Sequence, residues 1–162
     1  MSPETRVDVA VALIVRGKEV LAVWNPKWAC FTLPMTKPRV LPSADGDHGK
    51  KIEDWYDAAA RVVAECCGIT CSLDANSPRR LREVLVNYEL IQSERDGVPK
   101  KYRLQVYEIY FPAGANVPLV PQTIGEWLRP LDFVDLKRRP ISPTARQVMQ
   151  AALDKGAFDL VR

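Results

Sequence analysis

One short stretch of the sequence places an arginine and a glutamate at a spacing that could do chemistry. In AARVVAECCGI, residues 59–69, Arg61 is followed four residues later by Glu65, and Glu53 lies eight residues before Arg61. On a helix, an arginine and a glutamate four residues apart form a surface ion pair. A carboxylate can also bind Mg²⁺, a hard ion that prefers oxygen ligands and can bridge a pyrophosphate. The spacing therefore indicates either a surface ion pair or part of a phosphate-cleaving site.

The residues around this pair predict a helix over 52–67 that ends at Gly68. At 100° per residue, apolar and polar side chains fall in opposite sectors, as in a strongly amphipathic helix. The apolar sector contains Ile52, Trp55, Tyr56, Ala59, Val62, Val63, Cys66 and Cys67, and the polar sector contains Glu53, Asp54, Asp57, Arg61 and Glu65.

This segment resembles the signature of the Nudix hydrolase family, G-x5-E-x7-R-E-U-x-E-E-x-G-U, in which U is a bulky aliphatic residue. The matching residues are Glu53, Arg61, Val63, Glu65, Gly68 and Ile69. The resemblance extends to the strand before Leu33-Pro34, to GEWL at 125–128 and to the C-terminal helix, so it covers about residues 7–153.

Several positions depart from the family pattern. Val62 and Cys66 stand where the family carries acids, and LPMTK at 33–37 replaces LPGGK. Because Val62 and Cys66 lie at the edge of the apolar sector, we expect both side chains to pack in the core. A thiol is also a soft, poor ligand for Mg²⁺. Of the acids that the family carries in this part of the helix, only Glu65 therefore remains. About eleven extra residues also separate Lys37 from Glu53.

The resemblance implies roles for individual residues. Glu65, Arg61 and Glu53 would be catalytic, Glu65 and Glu126 would bind the metal, and Lys37 and Arg39 would contact substrate phosphate. Other acids could replace the missing ones, and His48, the single histidine, could act as a base or be a bystander. These alternative acids are Glu108, Asp45 and Asp47.

Aromatic residues near the predicted sheet rim could stack on a base or could simply belong to the core. They are Trp24, Trp28, Phe31, Tyr88 and Tyr102.

The resemblance leaves two main functions open. The first is a weak or atypical hydrolase of a nucleoside diphosphate linked to another moiety, using weakly held Mg²⁺ or Mn²⁺. The second is a catalytically inactive module that binds a nucleotide or metabolite as a sensor or interaction domain, with no metal ion required. In either case the expected partner is a small-molecule nucleotide or phosphorylated metabolite, and a homodimer is compatible with the resemblance.

The strand and helix patterns along the sequence predict an α+β fold. Strand patterns cover 7–15, 19–24, 31–34, 69–73, 80–91 and 102–111, and Ser142-Pro143 opens a C-terminal helix. Residues 35–51 read as an irregular loop insertion before the long helix. We expect one domain over 1–162, a Nudix-type α/β/α sandwich with a mixed β-sheet.

Composition argues against several other classes of protein. The net charge of +3 is too small to indicate nucleic-acid binding, and no apolar run reaches the roughly 20 residues that span a bilayer. The start shows no secretory signal, so we expect a cytoplasmic protein. The four cysteines match no paired zinc motif and are expected to be small buried hydrophobic residues.

Overall fold

A mixed sheet forms the centre of the molecule. The structure, a computed structural model, describes residues 6–42, 51–93, 99–135 and 140–157, and within these ranges seven strands belong to one sheet. Those strands are β1 (Arg6–Arg16), β2 (Glu19–Asn25), β3 (Cys30–Thr32), β4 (Met35–Thr36), β7 (Arg82–Ser93), β8 (Pro99–Phe111) and β9 (Gly125–Leu128). A separate two-stranded ribbon consists of β5 (Val40–Leu41) and β6 (Lys51–Ile52). The helices are α1 (Trp55–Cys67), α2 (Pro130–Val134) and α3 (Pro143–Asp154).

The order of the sheet is β3-β2-β1-β8-β7, with β4 paired to β1 and β9 paired to β2. Strand β1 runs parallel to β8 from Arg6 opposite Lys101 to Arg16 opposite Phe111, whereas the other strand pairings described are antiparallel, apart from a single parallel bridge between Phe31 and Ile141. This central parallel pair makes the sheet mixed, as the sequence predicted.

Both faces of β1 are buried, which explains why its central residues are almost all apolar rather than strictly alternating. One face packs against α2 and α3, and the other packs against α1. The first core includes Val9, Val11, Leu13, Val15, Phe133, Ala145, Val148 and Met149. The second includes Ala10, Ala12, Ile14, Ala58, Ala59, Val62 and Val63. The predicted α/β/α sandwich is therefore confirmed.

Helix α1 begins three residues later than the sequence predicted. The carboxylate of Asp54 accepts a hydrogen bond from the Tyr56 N–H and caps the helix. Ile52 and Glu53 therefore precede the helix, and Ile52, on β6, is 66% exposed instead of joining the apolar face. The predicted end is confirmed, because Gly68 adopts a φ of 68° and its N–H donates to the Ala64 carbonyl.

Two further segments differ from expectation. Residues 35–51 are not wholly irregular, since β4 joins the sheet and β5 pairs with β6, while 43–50 lie outside the described residues. The strand predicted at 69–73 does not form. There the Tyr56 hydroxyl donates to the Ser72 carbonyl and accepts from the Leu81 N–H, so a side chain ties this segment to α1.

The helices among the described residues are too short or too polar to cross a membrane.

Candidate functional site

A short backbone pairing brings the residues after β4 alongside the start of α1. The Glu53 N–H donates to the Arg39 carbonyl at 2.8 Å, and the Arg39 N–H donates to Glu53 Oε1 at 3.2 Å. The first of these bonds continues the β5–β6 pairing by one step, and the second is accepted by the Glu53 side chain, so Arg39 is held next to the acid that precedes the helix.

The guanidinium of Arg61 is the centre of the site. It donates to both oxygens of Glu53, from Nε to Oε2 at 3.2 Å and from Nη2 to Oε1 at 2.9 Å. Nη2 also donates to the Lys37 carbonyl at 3.1 Å, and Nη1 donates to Glu65 Oε1 at 3.3 Å. Because one planar side chain makes all four bonds, it joins α1 to the two segments that precede it.

The Arg61–Glu53 pair is largely withdrawn from solvent, with side chains 16% and 10% exposed. The hydrogen bond from Arg61 lowers the pKa of Glu53, and the same bond is the main reason that the pKa of Arg61 is raised. Both groups are therefore charged at neutral pH. The ion pair between Arg61 and Glu65, one of the two interpretations of the sequence, is present, and Glu53 from outside the helix covers the rest of the Arg61 guanidinium.

Glu65 has a different environment, with its side chain 53% exposed. Its Oε1 lies 3.3 Å from Arg61 Nη1 and 3.5 Å from Arg39 Nη2. One carboxylate oxygen is therefore shared between two guanidinium groups. Such solvent-exposed contacts stabilise a protein by only about 0–1 kcal/mol each, so they can be exchanged for another anion.

Val62 and Cys66, which stand where the resemblance led us to expect acids, do not contribute negative charge. Val62 is 4% exposed and packs in the core beneath α1, as predicted. Cys66 is partly buried against the same core, and burial together with the nearby Glu65 raises the pKa of its thiol to about 11. The thiol therefore stays protonated at neutral pH and is unsuited to binding a hard cation.

The structure does not bring Glu126 or Glu108 to Glu65. Glu126 lies on β9 and pairs with Ala22, which faces the core containing α3. Glu108 is 3% exposed, pairs with Leu13 on that same face and accepts a hydrogen bond from Arg82. Helix α1 covers the opposite face, so the sheet separates both acids from Glu65.

The described residues do not fit the Mg²⁺ site that the resemblance implies. Among residues 6–42, 51–93, 99–135 and 140–157, no three His, Cys, Asp or Glu side chains are grouped closely enough to hold a metal ion. The Glu65 carboxylate is already contacted by two arginines, and its neighbours on the helix are a valine and a neutral thiol. Asp45, Asp47 and His48 lie outside the described residues.

Lys37 and Arg39, predicted to contact phosphate, both lie beside α1 with exposed side chains. The structure adds one contact that residue types and spacing did not indicate, because the Lys37 backbone carbonyl accepts a hydrogen bond from Arg61. The sequence pattern of side chains does not predict a hydrogen bond between a side chain and a backbone carbonyl 24 positions away.

The aromatic residues predicted at the rim divide into two groups. Trp24 and Phe31 meet edge to face with ring centroids 5.1 Å apart, and Tyr88 and Tyr102 pack against the core that contains α3. Trp28, in the turn before β3, is 48% exposed. Its ring is therefore the one in this set with a large surface open to solvent.

Comparison with known proteins identifies the architecture. No protein-family profile and no curated protein matches the sequence, but solved structures match along nearly its whole length. A MutT protein from Methanosarcina mazei Go1 aligns with a TM-score of 0.62 and 18% identity, over 98% of this chain and 100% of its own. The Nudix domain of Shewanella oneidensis NrtR, complexed with ADP ribose, aligns with a TM-score of 0.59 and 12% identity, over 95% and 90%. A C. elegans Ap4A hydrolase gives a TM-score of 0.54 and 18% identity, over 94% and 97%.

The chain has the Nudix fold.

Within this fold, α1 carries the segment whose sequence resembles the Nudix box. Glu53, Arg61 and Glu65 form one connected network, and Val62 and Cys66 pack towards the sheet. The site therefore presents arginines balanced by glutamates.

Proposed function

We propose that this chain is a Nudix-fold module that binds the phosphate groups of a nucleotide or phosphorylated metabolite through arginine, without requiring Mg²⁺. The observation that carries the proposal is the position of the Glu65 carboxylate, which is shared by Arg61 and Arg39. A carboxylate held in this way marks the place where two guanidinium groups converge on an anion.

Arg39 is the residue best suited to bind the ligand directly. Its side chain is 61% exposed, and its contact with Glu65 is long, at 3.5 Å. A phosphate group accepts short, bidentate hydrogen bonds from arginine, which are stronger than a single exposed ion pair. A bound phosphate would therefore replace the Glu65 carboxylate at Arg39, and the ammonium group of Lys37 would add a second positive charge.

Arg61 and Glu53 would hold this site in place, whereas Arg39 would be the first residue to contact the ligand. Arg61 already makes two bonds to Glu53 and one to the Lys37 carbonyl, so it fixes the segment that carries Lys37 and Arg39. The Nudix domain of NrtR is described as complexed with ADP ribose, which supports a nucleoside diphosphate derivative as the class of ligand.

A weak or atypical hydrolase of a nucleoside diphosphate linked to another moiety is the second candidate. The retained Glu53–Arg61–Glu65 network favours it, as does the similarity to structures named MutT protein and Ap4A hydrolase. A Mg²⁺- or Mn²⁺-dependent reaction requires metal ligands in addition to Glu65. The described residues do not supply them, and for this reason we favour the binding module.

Calorimetric titration with ADP-ribose, in EDTA and in MgCl₂, separates the two candidates when combined with ³¹P NMR of the same samples. We expect the same dissociation constant in both buffers and no new phosphorus signals. We expect Arg39→Gln to weaken binding at least about tenfold, because a charge-assisted bond is lost. Binding that appears only with Mg²⁺, or conversion of ADP-ribose to products, would support the hydrolase instead.

The matched control is the ion pair between Glu89 and Lys101, with 3.3 Å between its charged atoms and comparable exposure. It joins β7 to β8, whereas the candidate site lies beside β4 on the other side of β1. Lys101→Gln should leave the affinity for ADP-ribose unchanged. Equal losses in Lys101→Gln and Arg39→Gln would show that only overall charge matters, and would contradict the proposal.

A further inference from the structure

A surface cavity of about 390 Å³ lies at the end of the molecule where β1 turns into β2. Its lining comes from three places in the sequence: the β1–β2 turn, the end of β8 with the turn that follows, and the residue before α2. The lining residues that matter here are Arg16, Lys18, Glu19, Tyr110 and Arg129. This volume lies within the range of about 300–1,000 Å³ that is usual for small-molecule sites.

The cavity is separate from the site at Glu65. The segment that carries Lys37 and Arg39 begins at Thr36, which pairs with Ala10, whereas Arg16 is six residues further along β1. At about 3.3 Å per residue, the two places are roughly 20 Å apart along the strand. A ligand in one cannot contact the residues of the other unless it spans this length.

The wall of the cavity is closely fitted. Gly17 has a φ of 62°, and a Cβ added there would lie 2.9 Å from the Cβ of Ala113. Its N–H donates to the Phe111 carbonyl at 2.8 Å, which joins the β1–β2 turn to the end of β8. The guanidinium of Arg16 lies 4.2 Å from the centre of the Trp127 ring, which holds it by a cation–π contact. Two of the three contributing segments are therefore held in a defined arrangement.

The charges lining the cavity favour an anion. Arg16, Lys18 and Arg129 contribute three positive charges, and Glu19 contributes one negative charge. Low-dielectric walls concentrate such a field and raise the local concentration of an oppositely charged ligand. Two guanidinium groups can bind phosphate oxygens bidentately, and the exposed Tyr110 provides an aromatic surface beside them. We infer that this cavity is a second anion site, for a phosphorylated small molecule, that operates independently of the Nudix box.

Titration of ¹⁵N-labelled protein with inorganic pyrophosphate tests this inference. We expect saturable shifts of the amide signals of Gly17, Lys18 and Gly114. The double variant Lys18→Gln/Arg129→Gln should weaken the apparent affinity at least tenfold. Lys27→Gln removes the same kind of charge at the far end of β2, and it should leave the affinity at the cavity unchanged.

Three results would overturn the inference: no shift at the cavity amides, an unchanged affinity in the double variant, or the same loss in Lys27→Gln. Signals of residues 37–39 and of α1 report the Nudix box in the same spectra. Failure at the cavity is therefore distinguishable from failure at the site proposed for nucleotide binding.

Discussion

Glu53 and Arg61 form a two-point ion pair, with Arg61 Nη2 and Glu53 Oε1 2.9 Å apart, although Glu53 lies outside the helix that carries Arg61. The pair connects the segment before α1 to the middle of that helix. Its function is therefore structural first, because it holds Lys37 and Arg39 at the edge of the candidate site.

Glu53→Gln should destabilise the protein by about 2–3 kcal/mol, because it leaves Arg61 largely withdrawn from solvent without its main counter-charge. Urea unfolding followed by circular dichroism measures this. Glu89→Gln, in an exposed pair, should change the free energy of unfolding by less than about 0.5 kcal/mol. Similar effects in the two variants would contradict the special role of Glu53.

The same pair predicts a dependence of stability on pH. Hydrogen bonding to Arg61 lowers the pKa of Glu53 in the folded protein below its ordinary value of 4.5. The unfolded chain therefore binds the proton more readily, so this contribution to stability is complete above about pH 4.5 and is lost as the pH falls through the lowered pKa. Glu53→Gln should reduce the slope of stability against pH in this acid range, and an unchanged slope would contradict the assignment.

Alanine substitutions at two glycines distinguish the effect of backbone conformation on stability from the effect of packing. Gly17 and Gly114 both have positive φ, at 62° and 81°, but only Gly17 has a neighbour within 4 Å of an added Cβ. Gly114→Ala should cost about 1–2 kcal/mol for the backbone alone, and Gly17→Ala about 2–4 kcal/mol because it also meets Ala113. Equal losses of unfolding free energy in urea would show that the contact between the added Cβ at position 17 and Ala113 costs no stability.

Acids introduced at positions 62 and 66 should create a metal site at a cost in stability. In Val62→Glu/Cys66→Glu, two carboxylates join Glu65 on one edge of α1, so Mg²⁺ affinity should rise. The variant should melt at a lower temperature than wild type, since Val62 is buried. Added MgCl₂ should recover part of the loss, by about 2.7 kcal/mol at 100 times the dissociation constant.

Cys66→Glu alone serves as a second variant, because Cys66 is less buried than Val62 and its substitution disturbs the core less. Wild type should show little change in melting temperature on addition of MgCl₂. Absence of any Mg²⁺-dependent gain in both variants would mean that carboxylates at these positions do not reach the Glu65 carboxylate.

The sequence was sufficient to predict α1, the central strands and the layered architecture, because burial imposes a period on apolar residues. The burial of Val62 followed from the same period. The start of α1 did not follow, since Glu53 and Asp54 are both polar and periodicity cannot distinguish a cap from a helical residue. Arg61 was placed on the polar face of the helix, but periodicity alone did not indicate how far Glu53 withdraws its side chain from solvent.

The positions of Glu126 and Glu108 illustrate a different limit. Each lies on a strand, and the face that a strand residue occupies depends on its pairing with a neighbour. The pairing of Glu126 with Ala22 and of Glu108 with Leu13 places both on the face opposite α1. Proximity between residues on separate elements requires this register, which a single sequence does not contain.

The affinity of Glu65→Gln for ADP-ribose in EDTA tests the central claim most directly. If Arg39 binds the phosphate, removing the Glu65 carboxylate frees the Arg39 guanidinium and reduces repulsion, so binding should tighten about three- to tenfold. Glu89→Gln should leave it unchanged. An affinity of Glu65→Gln equal to or weaker than that of wild type would contradict arginine-based recognition, because it would mean that Glu65 does not compete with the ligand.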